Sequence, residues 1–141
     1  MMTLRLLCHG TLKEAYLRDA CAEYAKRLSA FCRLEIIEVK DDAGLFEKLP
    51  QKGYKIALCV EGKQLSSEEL AAKLETLAVD GVSELTLVIG GSDGLPEALK
   101  AKCDLRLSFS KMTFPHQLMR VILLEQIYRA FTINKGITYH K

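Results

Sequence analysis

The 141-residue sequence has no tryptophan, only three prolines, and no two cysteines in CxxC spacing. Its five cysteines, Cys8, Cys21, Cys32, Cys59 and Cys103, are odd in number and widely separated. They offer neither the ligand spacing of a zinc site nor a disulfide framework, and they read as reduced thiols in a core with no metal site. No apolar stretch reaches the roughly 18 residues that a membrane span needs, and charge interrupts the residues after Met1 too soon for a secretory leader. A cytoplasmic protein with no membrane-embedded part is the expectation. Strong charge of one sign is also missing, since the net charge is only +2. Neither a GxGxxG run nor a GxxxxGK[ST] run occurs, so two common nucleotide folds are not indicated.

What is present is a composition that can build a core, 49% hydrophobic, in a length that suits one domain over residues 1–141. The small net charge hides an asymmetry. Residues 111–141 carry Lys111, Arg120, Arg129, Lys135 and Lys141 against Glu125 alone, +4, which leaves 15 basic and 17 acidic residues, −2, before them. Basic charge gathered at one end of a chain suits either an anionic partner or a solvated surface.

Apolar runs and helical stretches alternate throughout. Residues 3–8, 34–39, 56–60, 85–89 and 105–109 read as five strands. Residues 12–29 read as a helix with Tyr16, Ala20, Tyr24 and Leu28 at four-residue spacing, and a brief helix around Leu45 and Phe46 ends before Pro50 and Gly53. Ser66 supplies an N-cap hydroxyl, with Glu68 and Glu69 in the first turn of a third helix. A short helix from about Pro96 to Lys102 and a long one opened by Pro115 and running to about Phe131 complete the set. The alternation predicts an α/β fold, a mostly parallel sheet flanked by helices, whose ligand lies beyond the carboxyl ends of the strands. The loops after Val60, Ile89 and Phe109 are therefore the places to look.

Three segments stand out. Gly90-Gly91-Ser92-Asp93-Gly94 joins a strand to a helix, and its paired glycines suit either a tight turn with positive φ or a close approach by a ligand. The long helix carries Leu118, Met119, Val121, Ile122, Leu123, Leu124, Ile127 and Phe131, with almost no polar face over its middle. Burying it on nearly all sides calls for a second subunit. His116 and Arg120 share one face of that helix, whereas Arg129 lies opposite Arg120 and either pairs with Glu125 or reaches a site built across a dimer. His116 at the helix start suits a structural or a catalytic role. The last residues, Gly136-Ile137-Thr138-Tyr139-His140-Lys141, form either a frayed end or a group suited to stacking on a base and contacting phosphate.

Taken together, LVIGGSDGL at 87–95, LSFSKMTFPHQLMRVILLEQIYRAF at 107–131 and GITYHK at 136–141 closely resemble the RlmH family, pseudouridine N3-methyltransferases of the large ribosomal subunit within the SPOUT superfamily. GTLKEAYLRDACAEYAKRL at 10–28, LEIIEV at 34–39 and EGKQLSSEELA at 61–71 extend the resemblance over nearly the whole chain. Two departures stand out: the chain is shorter than the family between about Asp41 and Lys55, and His9 replaces a small apolar residue.

The resemblance implies a SPOUT fold whose C-terminal segment threads a trefoil knot, an exception to the usual avoidance of knots. It implies S-adenosylmethionine in that knot, held by Leu58, Gly90, Phe109, Ser110, Lys111, Met112, Thr113 and Phe114. It also implies a homodimer whose active site draws on both subunits, with the C-terminal tail recognising substrate. The implied substrate is a hairpin loop, helix 69, of the 23S ribosomal RNA in the assembled ribosome. Within that reading His116 and His140 are the candidates to take the proton from N3, Arg120 and Arg129 hold phosphate or stabilise the deprotonated base, and Tyr139 stacks. The competing readings are a noncatalytic ribosome- or RNA-binding factor on the same fold and a SPOUT enzyme acting on transfer RNA.

Overall fold

The computed structural model describes residues 1–141. Five strands, β1 (Thr3–His9), β2 (Arg33–Val39), β3 (Tyr54–Gln64), β4 (Glu84–Ile89) and β5 (Leu105–Ser108), form one parallel sheet in the order β2-β1-β4-β3-β5. Between and after them run α1 (Ala15–Leu28), α2 (Asp42–Lys48), α3 (Ser67–Val79), α4 (Glu97–Lys100) and α5 (His116–Lys135).

Parallel strands covered on both sides must be apolar on both faces, and the side chains sort accordingly. Leu4, Leu6 and Cys8 of β1 join Leu85, Leu87 and Ile89 of β4 in the larger core, which α1, α3 and α5 cover with Leu28, Leu74, Leu123, Leu124 and Ile127. On the other face Leu7, Ala57 and Val88 pack against Leu45 of α2 and Leu99 of α4. Burial disfavours the thiolate of Cys8, pushing its pKa up to about 12, and does the same to Cys32, up to about 11, so both are inert core thiols.

The third helix begins as the sequence predicts. Ser66 Oγ accepts from the Glu69 amide at 3.0 Å while the Ser66 amide donates to Glu69 Oε1 at 2.8 Å, a reciprocal capping box. Other boundaries shift. The buried stripe of α1 is Leu17, Cys21 and Leu28 rather than one through Tyr16, which is 70% exposed. The last helix continues past Phe131 because Thr132 is fully buried and its hydroxyl bonds the Arg129 carbonyl. The helix ends where Gly136 turns left-handed, at φ 68°, and the Ile137 amide closes on the Thr132 carbonyl.

The third strand extends well beyond 56–60. Its pairing with β5 runs Leu58 to Leu107, breaks, and resumes at Lys63 to Leu107. The residues between bulge outward, and Glu61 of the bulge is ion-paired to Lys100. Val60 and Glu61 are exposed there, and a sequence window reads such a mixed stretch as a loop. At Gly62 an added Cβ would come within 2.7 Å of the Arg106 carbonyl carbon, so glycine is what lets the bulge lie against β5.

Candidate active site

Strands β4, β3 and β5 are neighbours, so the loops leaving their carboxyl ends meet. They enclose a pocket of about 720 Å³. Leu58, Cys59 and Val60 come from β3, Ile89 to Leu95 from the glycine loop, and Leu107 to Ser110 with Met112 to Gln117 from the β5–α5 connection. Seven of the eight residues expected around a cofactor line it: Leu58, Gly90, Phe109, Ser110, Met112, Thr113 and Phe114. Lys111 is exposed and lies outside the wall.

The glycine loop is a tight turn and part of the pocket at once. Gly94 has φ 78° and its amide bonds the Gly91 carbonyl at 3.0 Å. The close approach at Gly90 is by the chain itself: an added Cβ would sit 2.7 Å from the Gly94 carbonyl carbon and 3.0 Å from the Leu95 nitrogen. At Gly91 the approaching group is the His9 ring, 2.7 Å from an added Cβ. The β5–α5 connection holds itself in shape, with Ser108 Oγ donating to the Ser110 carbonyl at 2.9 Å and the Met112 amide donating to Ser110 Oγ at 3.0 Å.

His116 lines the pocket. Burial, and then the charges of His9 and Arg120, hold its pKa below the usual histidine value, which keeps the ring neutral and able to accept a proton. Arg120, one turn further on, does not reach the pocket. Its side chain is 3% exposed, and its guanidinium donates to Glu38 Oε2 at 2.5 Å and to the Gly10 carbonyl at 3.1 Å, tying α5 to β2 and to the β1–α1 turn. Shared helical phase put His116 and Arg120 on one face, but only the first faces the open end of the sheet.

The other three candidates gather elsewhere. Arg129 donates to Glu125 Oε2 at 2.6 Å, and Tyr139 donates to the same oxygen at 2.7 Å. The Arg129 guanidinium lies 4.9 Å from the Tyr139 ring centre and 3.0 Å from His140 Nδ1. An arginine only donates, so His140 Nδ1 accepts and Nε2 carries the proton that it offers to Glu68, 3.1 Å away. Burial pushes the Glu125 carboxyl up, but the Arg129 and Tyr139 donors outweigh it and hold it below the usual range. Burial and the Glu125 carboxylate raise the Tyr139 phenol. The tail is therefore docked, and its partners Glu125 and Glu68 are residues that the sequence left in minor roles or none.

A largely apolar pocket walled by backbone turns beyond the carboxyl ends of a parallel sheet is the place where α/β enzymes bind small ligands. The family model described as "Predicted SPOUT methyltransferase" matches residues 2–140, and the chain belongs to that family. It is 51% identical to the ribosomal RNA large subunit methyltransferase H of Bifidobacterium adolescentis, over 99% of this chain and 100% of that one. Proteins of the same name from Streptococcus equi subsp. zooepidemicus and Leuconostoc mesenteroides are 45% and 43% identical over the same shares. Among solved structures, a probable methylase family protein from Haemophilus influenzae superposes with TM-score 0.60 at 11% identity, over 99% of this chain and 70% of that one. The SpoU methyltransferase AviRb from Streptomyces viridochromogenes, in complex with AdoMet, gives 0.53 at 11% identity, over 91% and 57%. At such identities these two speak for the fold alone.

Proposed function

We propose that this chain transfers the methyl group of S-adenosylmethionine to N3 of a pseudouridine in the helix 69 loop of 23S ribosomal RNA, acting as a homodimer on the assembled ribosome. It is an rRNA methyltransferase that uses S-adenosylmethionine, in keeping with its family and with relatives named for that activity across its whole length. One observation carries the reading: three loops separated in sequence meet in a single pocket of about 720 Å³, within the 300–1,000 Å³ typical of small-ligand sites.

The pocket suits the cofactor. Leu58, Ile89 and Leu107 offer apolar walls, and the turns at Gly90 and Ser110 offer main-chain groups, so a nucleoside and an amino acid can be held without an acidic clamp. When bound, S-adenosylmethionine supplies a methyl group on a sulfonium, open to in-line attack. Its transfer to N3 would leave a proton there to be removed, a task that falls to a side chain of this protein. His116 is the better placed of the two histidines to accept it. It is neutral and lines the pocket, whereas both His140 nitrogens are engaged, by Arg129 and Glu68. Closing the pocket against water and fixing the acceptor account for the rest of the rate.

One further feature supports the reading. Leu118, in the first turn of α5, is an exposed apolar side chain that a second copy would cover. A trefoil knot formed by the C-terminal segment belongs to the same reading.

Calorimetry with S-adenosylmethionine and transfer of a labelled methyl group test the proposal. Cofactor binding is expected, with label entering intact ribosomes far faster than naked ribosomal RNA. Comparable rates on both would remove the dependence on the ribosome, and label in transfer RNA would redirect the substrate. RNA binding without cofactor binding would make the chain a noncatalytic factor.

A further inference from the structure

A second cavity, of about 330 Å³, adjoins the first and shares Leu107, Phe109 and Phe114 with it. Its other walls come from the start of α3 and the middle of α5, where Ser67 and Gln126 bring the polar atoms. We propose that this cavity receives the acceptor base and that the Gln126 amide selects it. The assignment rests on the functional reading above and deepens it.

Position is the first argument. In-line transfer needs donor and acceptor atoms roughly 3–3.5 Å apart, so the base must sit in a space that opens onto the cofactor pocket. This cavity adjoins that pocket, with Phe109 and Phe114 lining both, and a base taken out of its stack is ordinarily held against aromatic faces. Its volume lies at the lower end for small-ligand sites, which suits one base and not a second cofactor.

The chemistry of the amide is the second. Ser67 Oγ donates to Gln126 Oε1 at 2.6 Å, and Gln126 Nε2 donates to Glu125 Oε1 at 2.8 Å. An amide has two N–H groups and two lone pairs on its oxygen, so one of each remains, held in a fixed orientation from both ends. The complement is a ring carbonyl beside a ring N–H. With N3 turned toward the methyl donor, pseudouridine still offers N1–H beside its C2 carbonyl. Uridine offers no such pair, because its N1 carries the sugar. Gln126 would therefore read the one difference between the two nucleosides, while N3–H faces the pocket that His116 lines. The third argument is continuity: Glu125 links Gln126 to Arg129 and Tyr139, so the rim of the cavity runs into a cationic and aromatic surface suited to the flanking nucleotides.

The test is methyl transfer by Gln126→Met and Ser67→Ala, using ribosomes that carry pseudouridine and ribosomes that carry uridine at the acceptor position. Loss of a hydrogen bond to the half-buried Gln126 amide is expected to lower kcat/KM on the pseudouridine substrate by about tenfold for Q126M, and by less for S67A. The preference over uridine narrows by the same factor, and S-adenosylmethionine affinity stays within about twofold. Unchanged kcat/KM, an equal loss on both ribosomes, or a parallel loss of cofactor affinity would each overturn the assignment. A changed oligomeric state with selectivity intact would also overturn it, by giving the cavity to a second copy of the chain. If the wild-type protein methylates neither ribosome, the functional reading itself falls, and the assignment with it.

Discussion

Replacing Gly90 or Gly91 by alanine adds the same methyl group to adjacent positions of the same loop, yet the two should behave differently. Neither has the positive φ that favours glycine, so the cost comes from contact alone. At Gly90 the new Cβ meets backbone, 2.7 Å and 2.8 Å from the Gly94 carbonyl carbon and oxygen, and the turn must open to admit it. Overpacking of this kind costs about 1–3 kcal/mol, and the upper half of that range applies where no side chain can rotate away. For a chain of this length the result is a fall in Tm of roughly 5–10 °C. At Gly91 the obstacle is the His9 ring, with Nδ1 at 2.7 Å and Cε1 at 2.9 Å, a half-buried side chain at the carboxyl end of β1 that can swing aside. G91A alone should cost about 1 kcal/mol, and His9→Ala in the same protein should recover most of it, a coupling that a double-mutant cycle measures directly. Thermal unfolding and S-adenosylmethionine calorimetry read both effects. G90A should also weaken cofactor binding, because the displaced turn forms a pocket wall. A G90A protein as stable as wild type, or a G91A defect that H9A leaves untouched, would refute the close-packed turn.

Arg120→Ala should lower stability by about 2–3 kcal/mol, less than the ~3–5 kcal/mol for breaking a fully buried pair because Glu38 is 37% exposed. Cofactor affinity measured well below Tm should stay near wild type; a large loss there would return Arg120 to the site. His116→Ala is expected to cut the methylation rate about 10²–10⁴-fold with cofactor binding kept, whereas His140→Ala should act mainly on KM for the ribosome, and the reverse pattern would exchange their roles. The depressed pKa of His116 also fixes a sign. The unfolded chain takes up this proton more readily than the folded protein, so stability falls as pH drops from 6.5 toward the folded value and recovers as pH rises. His116→Gln should flatten the slope of Tm against pH in that window, and an unaltered slope would assign the effect to another group.

Much of the fold was legible because its signals are local. Strands buried on both faces must be apolar throughout, and the Ser66 cap needs only four residues to declare itself. Where the reading slipped, a distant partner decided the outcome. Tyr16 and Leu17 both fit a helical stripe, and only the position of the sheet against α1 decides that the leucine goes in. The outer half of β3 is polar and reads as a loop, yet β5 lies alongside and pairs with it. Arg120 looked like a phosphate ligand because its partner, Glu38, lies 82 residues away on β2.

The pocket is the most instructive case, because its residues were legible one loop at a time while their meeting came only from the family resemblance. Five apolar runs in a row do not fix which are neighbours. The order β2-β1-β4-β3-β5 puts the three loop-bearing strands side by side, so their carboxyl ends must open into one space. The same order seats β1 next to β4. That adjacency brings His9 against Gly91 and the Gly10 turn close to His116 Nε2, and it lets a residue outside every motif press on the glycine loop. Strand order thus does for this site what spacing does for a linear motif: it selects which otherwise ordinary side chains share a charge field and a wall.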